Sequence, residues 1–188
     1  PISIDEAGDY IFGMVLINDW SARDIQKMGI CAAWTIFRKS FATTMSPWII
    51  TMDALEPFKC NGPKHEITPL PYLQQKTSEN SYDIKLKAVL ETENGDLNLL
   101  TKTNFKHLYW TMAQQLAHHT SNGCNVRAGD LLGSGTISGS TKDSYGSMLE
   151  LTWGGKEPIT LKDGTTRTFF NDGDHVIIRG YCKNDKVS

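Results

Sequence analysis

The sequence predicts a mostly β fold with two or so helices, and three observations carry that expectation. Ser81 to Thr92 (SYDIKLKAVLET) alternates polar and apolar residues with period two, the pattern of a strand with one face on a core and one in water. Only one stretch, Asn104 to Leu116, carries clear helical spacing, with Phe105, Leu108, Tyr109, Met112 and Leu116 at i, i+3, i+4, i+7 and i+11. The remaining apolar segments are short and separated by Gly-containing turns, which leaves too little chain for regular βαβ winding.

Taken in order, Tyr10 to Ile17 (YIFGMVLI) is a continuous apolar run and predicts a strand buried on both faces, ended by Asn18 and Asp19. Ser21-Ala22-Arg23-Asp24 has the spacing of a capping box and predicts a short helix over about Ala22 to Lys27. Thr43 to Met52 predicts a second strand, with Pro47 marking an edge or a bend. Pro57 to Gln75 carries four prolines and reads as an extended surface loop. After the Ser81 strand, Glu93-Asn94-Gly95-Asp96 is a hairpin turn, since Asn-Gly tolerates a positive φ, and Leu97 to about Lys102 returns. Asn104 caps the predicted helix and Asn122-Gly123 stops it. Short strands follow near Asp130 to Ile137, Ser147 to Trp153, Thr166 to Phe170 and His175 to Tyr181.

Composition narrows the class. The chain has 188 residues, 39% of them hydrophobic, with 16 glycines, which suits a single globular domain and excludes a disordered or collagenous chain. Nineteen basic against 21 acidic residues give a net charge of -2, so overall charge argues against DNA, RNA or anionic lipid as partners. Cys31, Cys60, Cys124 and Cys182 lie far from any C-x-x-C spacing and read as unpaired thiols. No long apolar run or secretory leader pattern is visible, and the cytosol is the expected compartment.

Generic motifs add little chemistry. The glycine-rich Gly133 to Gly139 lacks the G-x-G-x-x-G spacing of a dinucleotide loop. His118 and His119 are adjacent, and helical geometry turns them about 100° apart, too far to share one ion. Two clusters are more informative. Asp19 closes a strand, where a carboxylate can serve a hard cation, and Arg23 and Gln26 share a helix face as donors for a developing oxyanion; a surface Asp/Arg pair is the alternative. Thr136 follows Gly135 at a strand end, and Glu150 interrupts the apolar run Met148 to Leu151. Facing inward, Glu150 would orient a general base; facing outward, it would be solvated.

Four stretches, DYIFGMVLINDWSARDIQ, KSFATTMSPWIITMDALEPF, HLYWTMAQQLAHHTSNGCNVRAGDLLGSGTISG and YGSMLELTWGGKEPI, resemble the C-terminal part of the fumarylacetoacetase family, and together they span most of the chain. The resemblance implies the mixed β-roll of that family's C-terminal domain, here partial over residues 1–188 and incomplete at both ends. It implies a cytosolic homodimer that hydrolyses a C–C bond of 4-fumarylacetoacetate to fumarate and acetoacetate, the last step of tyrosine and phenylalanine breakdown. Residue by residue, Asp19 matches a ligand of the divalent ion, Ca2+ or Mg2+, and Lys39 and Thr43 match positions near it. Arg23, Gln26 and Lys39 match the groups that stabilise oxyanion and carbanion. Gln26 and Thr136 match substrate contacts, and Glu150 matches the carboxylate that orients the catalytic His.

The same resemblance places that His and three further metal carboxylates upstream of Pro1, so this chain alone is expected to be inactive. Another β-diketone or acylpyruvate hydrolase, or a non-catalytic fragment acting in subunit binding, are the alternatives. Met28 to Arg38 (MGICAAWTIFR) departs from the family's W-E-Y-V-P-L-G-P-F-L-G at equal length. One base inserted ahead of suitable codons for the family segment yields MGICAAWTIFR at every position, and one base lost in the Lys39 codon restores the frame. A paired frame shift is therefore expected in the nucleotide sequence, with genuine loop divergence as the alternative.

Overall fold

The computed structural model describes residues 1–23 and 42–184. In chain order the strands are β1 (Gly13–Met14), β2 (Ile17–Asp19), β3 (Thr43–Met45), β4 (Ile50–Thr51), β5 (Lys59–Cys60), β6 (Ser81–Tyr82), β7 (Lys85–Glu91), β8 (Leu97–Asn104), β9 (Ile159–Thr160), β10 (Thr166–Arg167) and β11 (His175–Tyr181). Short helices Met52–Leu55 and Met148–Leu151 and the longer Met112–Thr120 complete the regular structure, so the chain is mostly β with few helices, as expected. Among the described residues no helix is long and apolar enough to cross a membrane.

The best-formed element is the antiparallel sheet β11-β7-β8. Its outer strands each pair with β7 over seven rungs, from Lys85 to Glu91. The hairpin joining β7 to β8 turns on Gly95 at φ 86°, while Thr92 receives the Gly95 N–H and donates its own N–H to Asp96. Leu90 is fully buried on the inner face. Leu86, from that face, packs against a core of Leu55, Tyr82 and Phe105. β9 and β10 form a separate hairpin beyond it, clasped by Arg167, whose guanidinium makes two hydrogen bonds to the Asp174 carboxylate at 2.9 and 3.1 Å.

The first third of the chain is built differently from the expectation. Tyr10 to Ile17 is not one strand buried on both faces: Ala7–Tyr10 is a 3-10 turn, Tyr10 and Phe12 are 63% and 73% exposed, and the run divides into β1 and β2. The partner segment divides too. β1 pairs with β4 and β2 with β3, but two residues separate Met14 from Ile17 while four separate Met45 from Ile50, so the chain loops out at the Pro47 bend. Leu16 bridges the break through Ser46, whose N–H bonds to its carbonyl at 2.8 Å. Of the helix expected over about Ala22 to Lys27, Arg23 is helical, and Asp24 to Lys27 lie outside the described residues, as do Met28 to Arg38 and Lys39.

Four further expectations are corrected. The helix does not start at Asn104: β8 runs to Asn104, Phe105–His107 is a 3-10 turn, and the helix begins at Met112 under Thr111. Thr111 and Gln114 form a reciprocal capping box that fixes this later start. The segment 130–137 has no strand, and Ser147 to Trp153 is helical over Met148–Leu151, because Ser147 caps it by accepting the Glu150 N–H. The strand expected over Thr166 to Phe170 shortens to β10.

Candidate functional site

The residues singled out above fall into two groups. Thr136 and Glu150 are brought together in the wall of one cavity of about 360 Å³, with His107, Tyr109, Trp110, Gln115 and Ser138. The Met148–Leu151 helix positions Glu150, and two hydroxyls hold its carboxylate. Ser138 Oγ lies 2.9 Å from each carboxylate oxygen, and Ser147 Oγ donates to Oε2 at 2.8 Å. Since the Ser147 oxygen also accepts the Glu150 N–H at 3.3 Å, one cap fixes both the helix start and its carboxylate.

Ser138 reaches this position on an irregular segment pinned by the Gly146 N–H, which donates to Ser138 Oγ at 3.0 Å. A Cβ on Gly146 would stand 2.5 Å from the Ile137 carbonyl oxygen and 2.9 Å from a Thr136 methyl, so only glycine allows this close approach. Gly135, at φ 80°, turns the chain immediately before Thr136. Beyond the helix, Trp153 at φ 48° and two left-handed glycines reverse the chain, while Thr152, wholly buried, donates its hydroxyl to the Met148 carbonyl at 2.7 Å. The Glu150 carboxylate is thus fixed by local hydrogen bonds before any ligand arrives, as a positioning group requires.

The lining is also aromatic. Tyr109 and Trp110 meet edge to face at 5.2 Å between centroids, and His65 packs on both from behind, at 4.5 and 5.1 Å. The titratable groups of the wall are Glu150, His107 and Tyr109. A cavity with one held carboxylate, one imidazole, several hydroxyls and an aromatic side suits a small polar organic ligand with an unsaturated body.

Asp19, Arg23 and Thr43 form the second group and do not line that cavity. Asp19 and Thr43 are direct partners in the β2–β3 ladder, a juxtaposition across 24 residues that no local pattern encodes. The neighbouring Trp20 is anchored by its indole N–H to Thr44 Oγ1 at 2.9 Å and by an edge contact with Phe170 at 6.1 Å. Gln26 and Lys39 lie outside the described residues. A hard divalent ion prefers six or more oxygen ligands. Among the described residues no group of three or more His, Cys, Asp or Glu could hold a metal, so Asp19 with Thr43 does not make a Ca2+ or Mg2+ site by itself.

Sequence reasoning missed Ser138 and Ser147 as the hydroxyls on Glu150, and His107 as part of the same cavity lining. Ser147-x-x-Glu150 has a readable cap spacing that would have found one of them. The expectation of unpaired thiols holds for the described cysteines: Cys60 and Cys182 are half-buried, which pushes their thiols up, and Cys124 is exposed.

Comparison with known proteins adds to this geometry. Residues 1–185 match the family described as Fumarylacetoacetate (FAA) hydrolase C-terminal. The chain is 56% identical over 186 residues to a fumarylacetoacetase of Arabidopsis thaliana, covering 98% of this chain and 44% of that protein. It is 53% identical to the fumarylacetoacetases of Mus musculus and Homo sapiens with the same coverage. The chain therefore spans less than half the length of these curated relatives.

Proposed function

The chain belongs to the fumarylacetoacetate hydrolase family, and from that premise we propose that it is the C-terminal portion of a fumarylacetoacetase. In the whole enzyme, water adds to a carbonyl of 4-fumarylacetoacetate, the adjacent C–C bond breaks, and acetoacetate leaves as a carbanion that takes a proton while fumarate departs. The observation that carries the reading is 56% identity over 98% of the chain. Its support in the fold is that Thr136 and Glu150 share a cavity wall.

In this reading Glu150 orients the base that deprotonates water, and Thr136 contacts substrate. Arg23, Gln26 and Lys39 absorb charge on the oxyanion and the departing carbanion. Asp19 would supply one oxygen to the Ca2+ or Mg2+ that the family implies, with further ligands from the rest of the protein. The working form is a cytosolic homodimer that closes tyrosine and phenylalanine breakdown.

The test compares this chain alone with a chimera in which it replaces the matching part of the Arabidopsis enzyme, both assayed on 4-fumarylacetoacetate with added Mg2+ or Ca2+. The chain alone gives no turnover. The chimera turns over, and Glu150→Gln lowers its kcat by about 100- to 10,000-fold, the range for loss of acid–base function. Turnover by the isolated chain would refute the need for outside ligands. A chimera that cleaves acylpyruvates but not 4-fumarylacetoacetate would place the chain with a different hydrolase of the superfamily.

A further inference from the structure

Antiparallel pairing puts cross-strand partners on one face, so the register of the β11-β7-β8 sheet reads as rungs. On the face opposite the fully buried Leu90, one rung is Lys102, Lys87 and Arg179, and the next is Leu99, Val89 and Ile177. Like charges set directly opposite one another repel. Among the ion pairs recorded for the described residues, none involves these three cations. A fourth cation, Lys85, leans over the Tyr181 ring at 5.8 Å in the rung beyond. The acid on this face, Glu91, stands two rungs from the cations beside His175.

A β-bulge sharpens the picture. Val89 pairs with Leu99 while Ala88 pairs with Thr101, so Leu100 is the extra residue in β8. Strict alternation from Lys102 would turn Leu100 and Asn98 outward and leave Leu99 and Leu97 inside. The bulge reverses this. Leu97 and Leu99 are 49% and 50% exposed, while Asn98 is 4% exposed and accepts the Lys162 N–H at 2.8 Å. Turning two leucines out in exchange for a buried asparagine opposes the ordinary drive to bury apolar surface.

We propose that this sheet face is a docking surface for an acidic protein segment. Its carboxylates lie on the Lys102–Lys87–Arg179 rung and its apolar side chains on the Leu99 rung, about 7 Å away along the strands. Charge complementarity selects the occupant, since a second copy presenting the same rung would set cations against cations. The net charge of -2 conceals this local excess. Nothing in the proposal depends on the hydrolase reaction.

The test titrates the full chain by calorimetry with a synthetic helical peptide bearing glutamates beside a leucine stripe, with the glutamine counterpart as control. The glutamate peptide binds, more weakly at physiological than at low salt, and the K87Q/K102Q/R179Q variant loses at least about tenfold in affinity. Leu99→Asn weakens binding, and Lys156→Gln leaves it unchanged. Lys102→Gln alone gives a partial loss, which keeps the test decisive if the triple variant misfolds by far-UV circular dichroism. No binding of the glutamate peptide, equal binding of the glutamine peptide, or an unaltered triple variant each overturns the proposal. So does binding to phosphatidylserine vesicles in place of the peptide, or self-association that Leu99→Asn abolishes.

Discussion

The Glu150 side of the candidate site and the Asp19 side are built to different standards of completeness. The Glu150 carboxylate itself is held locally: two serine hydroxyls bond to it and Gly146 pins one of them. The hairpin that follows is locked by the Arg167–Asp174 pair, whose side chains are only 13% and 2% exposed. Around Asp19 the ladders are two and three rungs long, and Phe12, Trp48, Ile49 and Ile50 are each at least half exposed. Two-stranded ribbons of this length are marginal in water without further packing. The Glu150 group is therefore held by side-chain bonds within this chain, while the Asp19 group rests on short, exposed ladders.

The largest expected effect strikes the complete side. Arg167→Ala leaves the part-buried Asp174 carboxylate without its cation, and losing a charge-assisted hydrogen-bonded pair of this kind costs about 1.5–3 kcal/mol. The Arg167 guanidinium, with the Asn171 N–H behind it, holds the Asp174 carboxyl below its ordinary value. The stability this contributes is present above the unfolded carboxyl pKa of about 4 and is lost as pH falls through the lowered folded value. Urea unfolding across the acid range should show the gap between wild type and variant narrowing below pH about 4. A gap that widens there would mean the pair is not what locks this hairpin.

A smaller effect tests whether Glu150 is held by its own helix start. Ser147→Ala removes the cap and one of the two hydroxyls on the carboxylate, for an expected loss of about 0.5–2 kcal/mol. Ser147→Thr should restore most of it, because threonine caps nearly as well. If the alanine variant is as stable as wild type, Ser138 alone suffices, and the local redundancy is greater than the two hydroxyls suggest.

How far the sequence foretold these two sides follows from where the information lies. β7 and the Gly95 turn were legible because period-two alternation and Asn-Gly are local signals, and β11, read as a short strand bounded by Gly-containing turns, runs from His175 to Tyr181 as expected. The helix start was misplaced because Phe105 and Leu108 reach the core from a 3-10 turn whose spacing imitates the helical period. Thr111-x-x-Gln114 and Ser147-x-x-Glu150 were both readable caps, and weighting caps above apolar spacing would have corrected two elements. The Asp19–Thr43 pairing and the reach of Ser138 to Glu150 are tertiary facts with no local signature. Residue types alone grouped Thr136 with Glu150, and the resemblance to a family then gave each a role, before any geometry joined them.

The smallest expected effect decides whether the Asp19 side is as open as described. Trp48 sits in the loop-out at Pro47 and is 79% exposed, so its ring gives up little water contact in this chain. Exposed substitutions away from caps, cores and buried pairs usually change stability by less than about 0.5 kcal/mol, and Trp48→Ser in the isolated chain should stay within that limit. In the Arabidopsis chimera the same substitution should cost more, because surface supplied by the rest of the protein would bury the ring, and a buried tryptophan truncated to a small residue typically loses about 3–5 kcal/mol. Measuring both unfolding midpoints separates the cases. An equal, small effect in the two proteins would mean that Trp48 stays in water even there. A loss of several kcal/mol in the isolated chain would mean that the ribbon already packs its own tryptophan, and that the contrast between the two sides of the site is false.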